Sequence, residues 1–260
     1  MRDAQLMFYI PRPGKVLKAT MLVLLAIWVM LAVAINYGGM PFEGFLALTG
    51  NTEAILHGQV WRFFTAPLVH MPSGPGSVSH IGFALFGFYF LAPTLEERWG
   101  TRRTITFLLG AAFIGYFTQF VGELIFPRLG QSHWFGSYGV IEAIAVAWAL
   151  SNRNQQVRLF FVLPVSARAL LFFVIGISVL RVIGDAKPYE GLITPFGGML
   201  AGWLLGSGSP SPLRRLWLKL RYASLQRRAA RRKPSRSASR AGLRIIQGGG
   251  GKRDDDTYLN

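Results

Sequence analysis

Ala19 to Phe42 reads ATMLVLLAIWVMLAVAINYGGMPF, 24 residues without a formal charge. At about 1.5 Å of rise per residue, the helical part of such a run crosses the roughly 30 Å hydrocarbon core of a bilayer. A secretory signal peptide has a shorter apolar core and a small-residue cleavage site, so this run is expected to persist in the mature chain as a spanning helix. The composition agrees. Of 260 residues, 51% are apolar and only 15% charged, which excludes a disordered chain and disfavours an ordinary water-soluble enzyme.

Five further apolar segments follow: Ile81 to Leu95, Thr104 to Phe126, Phe135 to Leu150, Arg158 to Ile183 and Gly191 to Leu213. Six spans make an all-α polytopic membrane protein the expected fold class. The second and fourth segments are shorter than the ~17–25 residues of an ordinary span, which implies a wet recess or a thinned bilayer. In the fifth, Pro164 and Arg168 stand at the entry and only Ala169 to Leu180 is free of charge.

The charges orient this bundle. Arg2, Arg12, Lys15 and Lys18 precede the first segment, Arg98, Arg102 and Arg103 follow the second, and Arg153 and Arg158 follow the fourth. The opposite connections carry only Arg62, Arg128 and Lys187, so the positive-inside rule places both termini in the cytoplasm. From Ser207 to Asn260 there are 14 basic and 3 acidic residues, a net +11; the preceding 206 residues carry 14 and 9, a net +5. The expected organisation is an N-terminus at 1–18, a membrane domain at 19–206, a basic amphipathic juxtamembrane segment at 207–233 and a disordered tail at 234–260.

Within that juxtamembrane segment, Leu213, Leu216, Trp217 and Leu220 repeat at i, i+3, i+4 and i+7, the pattern of a helix lying on a membrane surface. Anionic lipid is the expected partner of the tail. Nucleic acid is disfavoured, because charge is present without a folded reading element. Zero cysteines remove disulfides, zinc–thiolate sites, iron–sulfur clusters and thiol catalysis. His70 and His80 have no third ligand at a recognisable spacing, so neither metal nor cofactor is expected.

An ordered series of motifs then suggests a family. Trp61-Arg62-Phe63-Phe64-Thr65 is followed by His70, by His80 at the mouth of the second segment, and by Leu95-Glu96-Glu97-Arg98-Trp99-Gly100 leaving it. Gly136-Ser137-Tyr138-Gly139 opens the fourth segment, and Gly197-Gly198-Met199-Leu200-Ala201-Gly202 lies in the sixth. From about Ile55 to Gly206 this resembles the rhomboid family of intramembrane serine proteases. The resemblance implies a six-helix fold with a serine in Gly-x-Ser-Gly on the fourth span, a histidine base on the sixth, and a His-x-x-x-Asn oxyanion site on the second.

Carried over position by position, His80 is retained, but Ala84 stands for the asparagine, Tyr138 for the serine and Pro195 for the base. The implied protein keeps the fold and lacks the reaction. Ser137 is the fallback nucleophile, with His80 or His133 as its conceivable base, although one helical step turns a side chain by about 100° away from Tyr138's direction.

Trp61, Arg62, His80, Tyr138 and Glu142 are the candidate contacts to membrane-protein clients. Glu142, one turn beyond Tyr138, is an ionisable group in an otherwise apolar segment and is expected to face the interior or water. Glu123 is expected at the membrane interface. Gly198, Gly202 and Gly206 form a small-residue stripe suited to close helix packing. Recognition of membrane clients without cleavage is the leading function; an endopeptidase using Ser137 and a scaffold acting through the basic tail are the alternatives. Topology reporters should read cytoplasmic after Gly100, Arg153 and Asn260, and external after Gly50, Arg128 and Lys187; an external Asn260 would break the six-span arrangement.

Overall fold

A computed structural model of the chain describes residues 12–127, 130, 132–152, 156–159, 163–184, 189–208 and 212–231. By internal contacts the chain divides into Met1–Arg215 and Leu216–Asn260. The expected disorder beyond residue 233 concerns residues outside those described.

The first unit is mostly helical. Its elements are α1 (Lys15–Asn36), the short α2 (Phe42–Leu46), α3 (Thr52–Leu56) and α4 (Arg62–Thr65), α5 (Ser77–Leu91), α6 (Pro93–Ile125), α7 (Tyr138–Ser151), β1 (Gln156–Leu159), β2 (Leu163–Ser166), α8 (Ala167–Gly184) and α9 (Thr194–Gly206). Among the described residues, α1 and α6 are long and apolar enough to cross a membrane, and α5 and α7 are shorter apolar helices. Large apolar side chains face outward along the bundle, among them Leu22 (66% exposed), Phe83 (65%) and Phe172 (73%). Surfaces of this kind are stable against lipid rather than water.

The all-α expectation needs one amendment. The fifth apolar segment, Arg158 to Ile183, is not a single helix: β1 and β2 form an antiparallel hairpin in register Gln156↔Ser166 and Leu159↔Leu163, and only then does α8 begin. Pro164 supplies no N–H and disfavours a helix interior, while Val157 and Val165 are β-branched and suit strands. The helix therefore starts at Ala167, beside Arg168.

Two helix ends are capped by polar side chains of α6. Helix N-termini leave backbone N–H groups without intrahelical partners, a serious cost in apolar surroundings. Gly14, at the N-cap of α1, has no capping side chain. The Glu96 carboxylate does this instead, accepting from the N–H groups of Val16 (2.8 Å) and Leu17 (3.2 Å). A side chain at residue 14 would displace that carboxylate from its capping position. At the other end of the bundle, Gln119 Oε1 accepts from the N–H groups of Ile193 (2.7 Å) and Thr194 (3.1 Å) at the start of α9. Gln119 in turn donates to Glu123 at 2.7 Å, and the Thr52 hydroxyl donates to the same carboxylate. Glu123 is thus buried (5% exposed) within the bundle, beside the cap of α9 and two residues from the end of α6.

The core is centred on α7, whose Ala143, Ile144 and Ala147 are almost fully buried against Leu24 of α1, Phe88 of α5 and Ala201 of α9. α7 and α9 share the most extensive helix–helix interface. Gly198 abuts the Gly139 backbone, Gly202 the Ala143 carbonyl, and Gly206 the Ala147 methyl; a Cβ at any of the three would overlap its neighbour. The glycine stripe is therefore used within the chain. Gly198→Ala should destabilise the bundle by roughly 1–3 kcal/mol or more, since backbone cannot step aside as a side chain can. Gly82→Ala, where a Cβ meets nothing within 4 Å, should be neutral. Unfolding midpoints in mixed micelles check the pair.

Candidate functional site

The candidate site forms where the first turns of α5, α7 and α9 meet the segment around residue 70 and the connection entering α9. Gly136 has φ of +111°, a conformation that favours glycine, and its carbonyl accepts from the buried Tyr116 hydroxyl at 2.5 Å. A side chain there would also press on the His80 ring. This turn delivers Ser137 as the N-cap of α7 rather than as a residue on its face. Ser137 thus stands just outside the helix, and it meets His70 where Tyr138 meets the His80 carbonyl.

The Ser137 hydroxyl lies 3.1 Å from His70 Nε2, and both residues are buried, at 2% and 0% exposure. This corrects the expected choice of His80 or His133 as the base. His133 bonds Thr49 Oγ1 through Nδ1 at 2.8 Å, and His80 stacks beside His70 with ring centroids 5.1 Å apart. His70 was hidden in the sequence by its Pro- and Gly-rich surroundings, and neither spacing nor periodicity connects it to Ser137.

The three family-diagnostic positions are all drawn into the bundle. Ala84 is fully buried one turn beyond His80 and offers no donor. Pro195 sits in the first turn of α9, where its missing N–H is tolerated. Tyr138 donates from its hydroxyl to the His80 carbonyl at 3.1 Å, and its ring lies 5.4 Å below the Arg181 guanidinium.

A chain of charged groups borders these residues. Arg181 donates to Glu190 Oε2 at 2.9 Å, and the other Glu190 oxygen is 3.7 Å from His80 Nε2, within ion-pair reach but beyond a hydrogen bond. Burial pushes the Glu190 pKa up, but His80 and Arg181 together outweigh it and hold the carboxylate below its ordinary range. On α7, Glu142 Oε1 accepts from the Ser178 hydroxyl of α8 at 2.6 Å. Its Oε2 is buried and accepts no hydrogen bond among the described residues. Ser178, Arg181 and Glu190 were not singled out in the sequence.

Trp61 and Arg62 stand elsewhere. Trp61 is half exposed at the N-cap of α4. Arg62 is buried and donates to Gln59 Oε1 (2.8 Å), to the Leu46 carbonyl (2.9 Å) and to the Thr49 carbonyl (2.5 Å), tying the segment before α3 to α4. Its guanidinium serves loop structure, and the structure does not bring it to His80, Tyr138 and Glu142.

A helical bundle coated with apolar side chains around an internal polar cluster defines an integral membrane protein with a site inside its own fold. Residues 57–209 match the rhomboid domain, and the chain belongs to the rhomboid family. It is similar to the rhomboid protease GlpG of Salmonella paratyphi A, with 26% identity over 184 residues covering 68% of this chain and 59% of that protein. The rhomboid protease GlpG of Salmonella typhi is 29% identical with the same coverage. The chain thus spans less than two thirds of the length of these relatives.

His70 carries a pH dependence. Burial, and then nearby His80, lower its pKa from 6.5 to about 3, with a backbone contact at Leu68 opposing them in part. The folded state therefore favours neutral His70, and this contribution to stability is fully present above the unfolded value of about 6.5 and is lost as pH falls from there toward 3. Unfolding midpoints should decline across that window, and less steeply in His70→Gln than in the parent chain.

Proposed function

We propose that this chain is a non-cleaving rhomboid-family protein that holds segments of other membrane proteins, in a six-span bundle of a bacterial plasma membrane with both termini cytoplasmic. The observation that carries this reading is the occupancy of the α5, α7 and α9 positions by Ala84, Tyr138 and Pro195. Peptide hydrolysis needs a nucleophile, a proton acceptor and donors aimed at the developing oxyanion. Tyr138 instead spends its hydroxyl on a backbone carbonyl, and Pro195 can accept no proton.

The recess around these positions has the chemistry of a receptor for polar groups within a membrane. Glu142 keeps one carboxylate oxygen buried without a hydrogen bond among the described residues, in a helix that is otherwise apolar. A buried carboxyl group with an unpaired oxygen gains from a compensating donor. A client segment with a Lys, an Arg, or backbone N–H groups freed by a helix break supplies one.

The hydrogen bond between Ser137 and His70 favours a second reading, a serine endopeptidase with a rearranged site. Two features weigh against it: Ser137 is 2% exposed, and a base with a pKa near 3 is far from the optimum for proton transfer at neutral pH. A fluorophosphonate probe separates the two. No adduct is expected; an adduct lost in Ser137→Ala would establish the hydrolase.

Client binding is tested with a photo-crosslinking residue at Tyr189, whose ring lies 5.3 Å from His80. Irradiation in native membranes should give adducts with membrane proteins, and Glu142→Gln should reduce their yield severalfold at equal expression. Unchanged yield would remove Glu142 from recognition, and no adduct in either chain would remove the client-binding reading.

A further inference from the structure

Beyond residue 209, where the rhomboid domain match ends, the chain forms α10 (Pro212–Arg231). Seven of its twenty residues are Lys or Arg and none is Asp or Glu. It also exposes large apolar side chains: Leu216 (55%), Trp217 (54%) and Leu220 (63%) share one face, and Leu218, Tyr222 and Leu225 lie off it. The Arg221 guanidinium lies 5.1 Å from the Trp217 ring centroid, an indole and a cation held side by side.

We infer that α10 is a membrane-surface helix whose occupant is an anionic lipid leaflet, with Leu216, Trp217 and Leu220 entering the interfacial layer and the basic residues reaching lipid phosphates. Charge selects this occupant. A second copy of the chain brings the same positive helix and is repelled. Nucleic acid answers the charge but gives the leucines and the indole no apolar layer. An anionic bilayer supplies both, and the interface is where Trp and Arg side chains with apolar stems settle. Distance permits it as well: five residues join Gly206 to Pro212, a tether of at most about 22 Å from the end of a helix of the membrane domain.

The absence of cysteine in the chain allows a single-site probe. Full-length Leu220→Cys and, separately, Gln226→Cys would carry an environment-sensitive fluorophore and be reconstituted in vesicles of phosphatidylcholine alone or of equal parts phosphatidylcholine and phosphatidylglycerol. In the anionic vesicles the probe at 220 should shift to the blue and be quenched by headgroup-level nitroxide lipid, the probe at 226 much less. About 1 M salt, which shortens the screening length to about 3 Å, should release it partly. Replacing Lys219, Arg221 and Arg228 by Gln should lower the bound-to-free ratio about fivefold per charge, from about 1 kcal/mol each. Equal quenching in both lipids, equal quenching at 220 and 226, or a shift that requires added RNA in place of anionic lipid would each overturn the inference. None of these outcomes depends on whether the α5–α7–α9 recess binds clients.

Discussion

The contact between α7 and α9 is made where side chains are missing. Gly198 meets the Gly139 backbone, Gly202 the Ala143 carbonyl and Gly206 the Ala147 methyl, so α9 lies against α7 almost backbone to backbone. Between lipid-embedded helices no hydrophobic driving force distinguishes a neighbouring helix from a lipid tail, and dispersion at close range becomes the main attraction. Once α9 is seated this way, Pro195 and Thr194 are brought to the first turn of α7, and Tyr138 is enclosed with His80. The site is a consequence of that packing.

Polar groups in the bundle fall into two kinds. Glu96, and the Thr52–Glu123–Gln119 set, have their oxygens turned toward N–H groups and hydroxyls, and they close the N-termini of α1 and α9. These are structural groups, and each is fully occupied with a partner inside the fold. The groups around Tyr138 behave differently. Glu142 has one oxygen bonded and one buried without a partner among the described residues, and His80 and Glu190 approach to ion-pair distance without closing a hydrogen bond. Incomplete pairing inside a low-dielectric interior is costly, and these groups carry that cost where Glu96 and Gln119 do not.

The same logic applies to the serine–histidine contact. A serine–histidine contact survives in the site, but as Ser137 with His70, sealed from the surface and with the imidazole kept neutral by burial. Such a pair stabilises the turn that starts α7. Tyr138, Arg181 and Glu190 are arranged around the adjacent His80.

Composition and hydropathy pointed to the membrane class, because a 24-residue uncharged run is long enough to span a bilayer. Motif order along the chain determined the family, and the identities of Ala84, Tyr138 and Pro195 determined what the family positions lack. These properties are local, and a single segment carries each. Other features were beyond the sequence because they join residues distant along the chain: His70 to Ser137 across 67 positions, Glu96 to α1 across 80, and Ser178 to Glu142 across 36. Periodicity could not place Ser137 either, since a helical angle has no meaning at an N-cap preceded by a glycine with φ of +111°. Nor could it show that Glu123 is buried, because only the tertiary fold brings the start of α9 to Gln119 and, through it, to that carboxylate.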